Sequence, residues 1–400
     1  MARTFSNPFR PGAGHPPPYL AGRSLEVDEF RRLLDQDPVL QNLVLTGLRG
    51  VGKTVLLDAF KPLAVRAGWA WVGTDLSEAA SVDEERIAQR ILADVAVISA
   101  GLKVAEVESA SLGFSRTTRK QAVTLGYDTL DSIYRSVPGL VSDRLKAVLG
   151  VVLRALRDAG GGGLVFAYDE AQNMADHASR GQYPLSLLLE VFQSLQKQGL
   201  RTMLVLVGLP TLFPKLVEAR TFAERMFRVV TLDRLSEDEC RDAILKPISA
   251  ASCPVELDED SVRSIVELSG CYPYFVQFIC RDVYDAFVQG RTEVPVDAIT
   301  RKLDSDFFHG RWARATDRQR DLLAVIARLD SSGDEFTVQE IATASRDAGS
   351  KPFSPSHISQ MLGALAEAGL VYRNRHGRYS FAVPMMERFI RRQIERDPLR

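Results

Sequence analysis

Two short stretches carry residues able to do chemistry. GLRGVGKT, Gly47 to Thr54, fits the spacing G-x-x-x-x-G-K-[ST]. Glycines in such a loop let backbone N–H groups turn inward around phosphate oxygens, where side chains would obstruct. A helix that follows aims its positive N-terminus at the same phosphates. Lys53 is then placed to reach the β- and γ-phosphates, and the Thr54 hydroxyl to ligate a magnesium ion. Gly47, Gly50, Val51, Gly52 and Val55 complete the expected cradle. LVFAYDE, Leu164 to Glu170, is an apolar run that ends in two acids. Carboxylates closing a buried strand are costly unless they bind a cation or a partner. Asp169 stands where an aspartate would hold a metal shell, and Glu170 where a general base would polarise a water. Alone, an acid pair after a strand is more often a helix N-cap. Behind a phosphate loop it points to hydrolysis as well as binding.

The elements that position these stretches follow from periodicity. Ser24 caps a helix whose apolar residues are Leu25, Phe30, Leu33 and Leu34. NLVLTG suits a buried parallel strand, a helix starts near Lys53, and WAWVGTDL reads as a second strand. The stretch about 104–141 reads as an insertion with a β-hairpin around a basic centre (Arg116, Arg119, Lys120). A helix at 142–159 leads through four glycines into LVFAYDE, and a helix at 186–198 leads into RTMLVLVGLP. Strands alternating with helices imply an open parallel sheet covered on both faces. From Ser236 four helical patterns follow without strands. The last ninety residues read as three helices and then an alternating hairpin with His376-Gly377 at its turn.

Bulk properties exclude several classes. The chain has 400 residues, 46% hydrophobic and 25% charged, with a net charge of −1, so no global field pulls it toward nucleic acid or membrane. Its four cysteines form no CxxC pair, which suggests buried thiols in a reducing cytosol instead of zinc or disulfides. No run approaches the length needed to span a bilayer, and the expected location is cytoplasmic.

The chain resembles AAA+-type P-loop ATPases, specifically bacterial members related to the archaeal origin-recognition initiators and to the STAND signalling ATPases. The resemblance rests on GLRGVGKT, AYDEAQ, AERMFRV (Ala223 to Val229), SGCYPYFVQ (Ser269 to Gln277) and the opening NPFRPG…LAGR. It implies a P-loop NTPase of the α/β class: a three-layer αβα parallel sheet, a helical lid and a C-terminal winged helix-turn-helix. The domains would be an N-terminal arm at 1–24, an ATPase core at 25–235, a lid at 236–310 and a winged helix at 311–400. It further implies ATP and Mg2+ as ligands, with Thr54 and Asp169 on the metal and Glu170 on the water. Arg225 or Arg228 would be offered to the γ-phosphate of a neighbouring copy, which implies nucleotide-dependent self-association. The alternative is a surface arginine paired with Glu224 or Asp233. Pro273 would be brought against the nucleotide, and it also suits the first position of a helix.

Departures from the family pattern point toward slow hydrolysis. Leu209 occupies the position after the fourth core strand where a polar sensor is usual, with Thr211 the nearest substitute. No arginine stands at an obvious second-sensor position, where Gln277 and Arg281 are nearest. Residues 311–400 hold 15 Lys/Arg against 11 Asp/Glu, near +4, while the remainder is near −5. That sign makes the winged helix a candidate for double-stranded DNA. Its presumed recognition helix offers only Ser356, His357, Ser359 and Gln360 to bases, whereas Arg373, Arg375 and Arg378 in the wing could straddle phosphates. The second reading is a nucleotide switch whose C-terminal domain binds protein, in signalling or phage defence. The arm Asn7 to Arg23 has five prolines and three glycines. Such composition favours disorder, but the resemblance implies a collar at the nucleotide, with Gly22-Arg23 at its end and Phe9 and Tyr19 as apolar contacts.

Overall fold

The architecture was read from a computed structural model, which describes residues 6–12, 15–110, 118–250, 255–347, 352–375 and 377–396. In chain order the first half gives α1 (Ser24–Leu34), β1 (Asn42–Gly47), α2 (Lys53–Arg66), β2 (Trp69–Val72) and α3 (Glu84–Ser99). A hairpin of β3 (Lys103–Ala110) and β4 (Thr118–Thr124) follows, then α4 (Tyr127–Ser136), α5 (Val141–Asp158) and β5 (Gly163–Tyr168). Next come α6 (Pro184–Lys197), β6 (Thr202–Gly208), the short α7 (Leu212–Ala219) and α8 (Ala223–Met226), and β7 (Phe227–Leu232). The chain forms two compact units, one of Ser24–Thr46 and Leu56–Thr231, the other of Met1–Arg23, Gly47–Val55 and Leu232–Arg400. The loop Gly47–Val55 groups with the C-terminal half of the chain.

In the first unit the strands stand in the order β2-β5-β6-β1-β7. β2, β5, β6 and β1 are parallel, with Leu43 opposite Val205 and Phe166 opposite Leu204. Every residue of β1, β5 and β6 is buried. Parallel strands covered on both faces read as unbroken apolar runs for this reason. Alternation sends Val44, Phe166 and Leu204 to a core shared with α3, α4, α5 and α6. Leu43, Leu45 and Val165 turn to the other face. There Phe30 of α1 stacks on Phe60 of α2 at 4.2 Å and meets the edge of Trp71 at 6.2 Å.

Two local expectations are corrected. The strand at Trp69 stops at Val72, and the next residue is a glycine (φ 136°) whose Cβ would lie 1.7 Å from the carbonyl oxygen of Ala167. Beyond it Asp75 only bridges to Asp169. The stretch about 104–141 is also more than a hairpin. β3 and β4 pair antiparallel as expected, but α4 follows, burying Leu130 and Tyr134 in the same core. The Tyr134 hydroxyl donates to Glu85 at 2.7 Å. The basic residues Arg116, Arg119 and Lys120 fall outside the side chains described.

The second unit contains the lid-like helices α9 (Glu237–Ala250), α10 (Glu259–Ser269), α11 (Pro273–Val288) and α12 (Val296–Leu303). A π-helical turn (Asp304–His309) and the single turn α13 (Gly310–Trp312) lead on to α14 (Asp317–Ala327). Then come β8 (Phe336–Thr337), α15 (Val338–Asp347), α16 (Pro355–Glu367), β9 (Val371–Arg375), β10 (Arg378–Phe381) and α17 (Met386–Arg396). The last three strands form a small sheet in the order β8-β10-β9, antiparallel throughout. Phe307 packs edge-on against Tyr274 and Phe275, while Phe308 stacks on Phe389 of α17 at 5.4 Å.

Phe166 has no exposed surface and meets Phe192 edge-on at 4.9 Å. Phe166→Ala should cost about 3–5 kcal/mol of unfolding free energy, read by urea titration, since the closed sheet leaves a cavity.

Candidate functional site

The loop Gly47–Thr54 is built by backbone constraints. Gly47, Gly50 and Gly52 have φ of 155°, 83° and 91°, values that side chains resist. A Cβ on Gly47 would fall 2.5 Å from the Leu232 carbonyl oxygen, and one on Gly50 would fall 3.3 Å from the Tyr274 side chain. The loop's carbonyls are held from within its own unit. The Lys53 ammonium donates to the oxygens of Gly47 at 2.9 Å and Leu48 at 2.8 Å. Gly50 oxygen accepts the Tyr274 N–H at 3.1 Å. Val51 oxygen accepts the Arg23 guanidinium at 3.0 Å. An anion approaching this loop is therefore met by N–H groups, the helix terminus of α2 and Lys53.

Arg23 and the turn at Pro273 both meet the loop. Arg23 is 7% exposed and also donates to the Asp233 carbonyl at 2.8 Å, tying the loop and the arm to the segment after β7. Gly22 (φ 61°) has no room for a Cβ, which would lie within 2.7 Å of the Glu239 carboxylate. Described residues of the arm before it make contacts within the same unit. Asn7 donates to Arg281 oxygen and to Asp285, Phe9 is buried, and Lys246 bonds Tyr19 at 2.9 Å and covers its ring. Pro273 is at the start of α11, so the residue after it brings its N–H to the loop. One basic neighbour was not anticipated. The Arg311 guanidinium donates to Phe307 oxygen at 2.5 Å, and its pKa is pushed down by burial and by the positive charge of Arg49 and Arg314. Its position 38 residues beyond Pro273 gave no motif to find it by.

The carboxylates belong to the sheet unit. Asp169 is buried at the carboxyl end of β5, its Oδ1 accepting the Glu170 N–H at 2.7 Å. Tyr168, fully buried just before it, donates to Asp94 at 3.1 Å, and Asp94 is also paired with Arg90. Glu170 is exposed and left-handed (φ 51°), and its carboxylate takes the side-chain amide of Gln172. Asp58 of α2 titrates above the usual carboxylate range through burial, then through the charges of Asp169 and Asp75, with Lys61 opposing. Negative charge gathered at a strand end fits a cation. Among the described residues no group of three or more His, Cys, Asp or Glu forms a ready cage.

Comparison with known proteins bears on the fold. Residues 19–217 match the family described as AAA ATPase domain. These residues form an AAA ATPase domain. Residues 305–390 match a family described as a domain of unknown function, DUF8462. A Walker-type ATPase of Pyrococcus abyssi is similar in fold, with 18% identity over 93% of this chain and 96% of that one and a TM-score of 0.56. The ADP form of the Aeropyrum pernix ORC2 protein is similar at 15% identity, over 96% and 97% of the two chains, with a TM-score of 0.52. No curated protein matches the chain by sequence.

Beyond the AAA ATPase domain, the remaining candidates separate. Arg225 lies in α8 and is exposed at the rim of a cavity of about 670 Å³ lined also by Val39, Gln196 and Phe222. Arg228 lies inside β7 and pairs with Glu29 at 2.6 Å, not with Glu224 or Asp233. In the C-terminal hairpin Arg375 stands opposite Arg378, and Arg378 pairs with Glu335 at 3.8 Å. Arg373 is exposed, while the Arg375 side chain and His376 lie outside the described residues. Ser356, His357, Ser359 and Gln360 are all on the exposed face of α16. Leu209 follows β6 directly, as expected, and Thr211 makes no side-chain cap to α7.

The turn before Pro273 holds a thiol pair. Cys271 is left-handed (φ 61°), and its N–H donates to Ser269, whose hydroxyl lies 3.8 Å from the Cys240 sulfur. A hydrogen bond from Cys240 pulls the Cys271 thiol down to about 7, helped by Arg234 and Arg388 and opposed by burial. The same bond and burial push Cys240 up, and burial pushes Cys280 up. Iodoacetamide at pH 8 should label Cys271 well before Cys240 and Cys280, and its rate should fall roughly tenfold at pH 6 as thiolate is lost. Peptide mass spectrometry reads both.

Proposed function

We propose that the protein binds and hydrolyses ATP with Mg2+ and couples its nucleotide state to self-association and to DNA binding. The observation that carries this reading is the glycine loop, whose carbonyls are held by Lys53, Arg23 and the Tyr274 N–H. Lys53 holds the phosphates of ATP. Thr54 and Asp169 hold the metal, which when bound neutralises phosphate charge and orients the triphosphate. Glu170 takes the proton of the attacking water. Arg23 and the Pro273 turn clasp the loop from the arm and the lid. Arg225, exposed and outside every ion pair found among the described residues, is the arginine offered to a neighbouring copy; Arg228 is engaged by Glu29.

The C-terminal elements, in the order helix, strand, helix, helix, strand, strand, support a winged helix at residues 311–400. Its exposed α16 carries small polar groups and no arginine, so DNA contact falls to the hairpin and to phosphates, with little base reading. A second reading is a nucleotide switch whose C-terminal domain binds protein. The apolar Leu209 at the sensor position and the engagement of Arg378 by Glu335 favour it.

Titration with ATP and single-turnover hydrolysis test the first reading. Lys53→Ala should lose ATP binding, while Glu170→Gln should keep it and hydrolyse 10²–10⁴-fold more slowly, the span of a lost general base. Retained binding in Lys53→Ala would refute the phosphate site. The two downstream readings separate by mobility shift on double-stranded DNA. Charge reversal at Arg373, Arg375 and Arg378 together should abolish a salt-sensitive shift, and an unchanged shift would favour the protein-binding switch.

A further inference from the structure

We infer that Gln172 is the positioning residue of the catalytic carboxylate: its side-chain amide holds Glu170 and ties it to the end of β6, where a polar sensor side chain is missing. This rests on the reading of Glu170 as the general base.

Four observations in the sheet unit converge on this amide. Gln172 lies in a single 3₁₀ turn (Ala171–Asn173) directly after Glu170. Its Nε2 donates to Glu170 Oε2, and its Oε1 accepts the Leu209 N–H at 3.1 Å. The amide can be oriented in only this way, because a carboxylate needs a donor and a backbone N–H needs an acceptor. Its own carbonyl is held by the Lys215 ammonium at 2.7 Å. Lys215 is half-buried there, and burial pulls its pKa down. Finally, Gly208 leaves the space the amide occupies: a Cβ there would fall 2.5 Å from Gln172 Oε1.

Glu170 needs such a hold. It is exposed on a left-handed backbone, and a glutamate in water samples many rotamers, few of which face one fixed water. A base acts in the transition state only from the correct place, and small displacements cost rate without costing binding. Leu209 supplies no side-chain polar group. Its N–H, relayed through Gln172, makes the end of β6 part of the same constellation as the end of β5. A shift of the turn after β6 therefore moves the base.

The tests use the full chain, with single-turnover ATP hydrolysis, ATP affinity and thermal midpoint measured together. Gln172→Met keeps the volume and removes both hydrogen bonds. Gly208→Ala leaves Gln172 in place and crowds its amide out of position. Each should lower the hydrolysis rate constant about tenfold while ATP affinity and melting temperature stay at wild-type values. Gln172→Glu should be at least as slow, because two carboxylates repel. On a Glu170→Gln background, Gln172→Met should add no further loss, as expected for residues acting as one unit. Wild-type rates in Gln172→Met, a fully additive double mutant, or a rate loss matched by lost affinity or stability would each overturn the clamp. If Glu170→Gln itself hydrolyses at the wild-type rate, the general-base reading falls and the clamp with it. If Glu170→Gln is inactive and Gln172→Met is not, only the clamp falls.

Discussion

A loop that wraps an anion must turn its N–H groups toward one point, and its carbonyls must then be satisfied elsewhere. Here those carbonyls are taken one by one: Gly47 and Leu48 by Lys53, Gly50 by the Tyr274 N–H and Val51 by Arg23. Much of the surrounding architecture follows from that requirement. Arg23 reaches Val51 directly after Gly22, which is left-handed beside Glu239. Tyr274 can offer its N–H because Pro273 starts α11 without one of its own. A charged guanidinium at 7% exposure is tolerated because it donates to the carbonyls of Gly22, Val51 and Asp233.

The sheet unit answers a different requirement, a carboxylate buried at a strand end. Asp169 is flanked by Tyr168, which is locked to Asp94, and by Glu170, whose N–H it accepts. The Asp94 charge is balanced by Arg90, so the network beneath the strand end is closed rather than leaving a lone ion in the core. A closed polar network of this kind is costly to disturb in part, because each removed partner strands another. It fixes the direction in which Asp169 leaves the sheet.

Much of this was legible in the residues. Apolar strands covered on both faces announce themselves as unbroken runs, so β1, β5 and β6 were readable, as was the glycine loop between β1 and α2. The stretch about 104–141 was harder. Its alternating pattern gave the hairpin, but the ten residues of α4 were too short a period to separate from a loop. The ends of the arm were readable from Gly22-Arg23, yet nothing local says that Asn7 meets Asp285, a pairing 278 residues apart. Gln172 was hidden for the same reason. Its neighbour in sequence, Glu170, was visible, whereas Leu209 and Gly208 are brought to it only by the pairing of β5 with β6. Arg225 and Arg228 looked equivalent in AERMFRV; both are exposed, and Arg228, beyond the helix-to-strand boundary, is the one that pairs with Glu29.

Within the second unit, packing runs without a break from the phosphate loop to the last helix. The Gly50 oxygen holds the Tyr274 backbone, the Tyr274 ring meets Phe307 at 5.4 Å, and the adjacent Phe308 stacks on Phe389 of α17. Arg392 of the same helix pairs with Asp304, at the start of the π-helical turn that carries both phenylalanines. A π turn places consecutive aromatic residues on two faces, one ring toward α11 and one toward α17. Such a cluster does not deform smoothly, because opening a methyl-sized gap costs about 1 kcal/mol and rings in contact have few other places to go. Any motion that breaks the Gly50–Tyr274 hydrogen bond must therefore either carry Phe307 along or open the ring cluster. The first moves the π turn, Asp304 and α17 as a block; the second is penalised by packing.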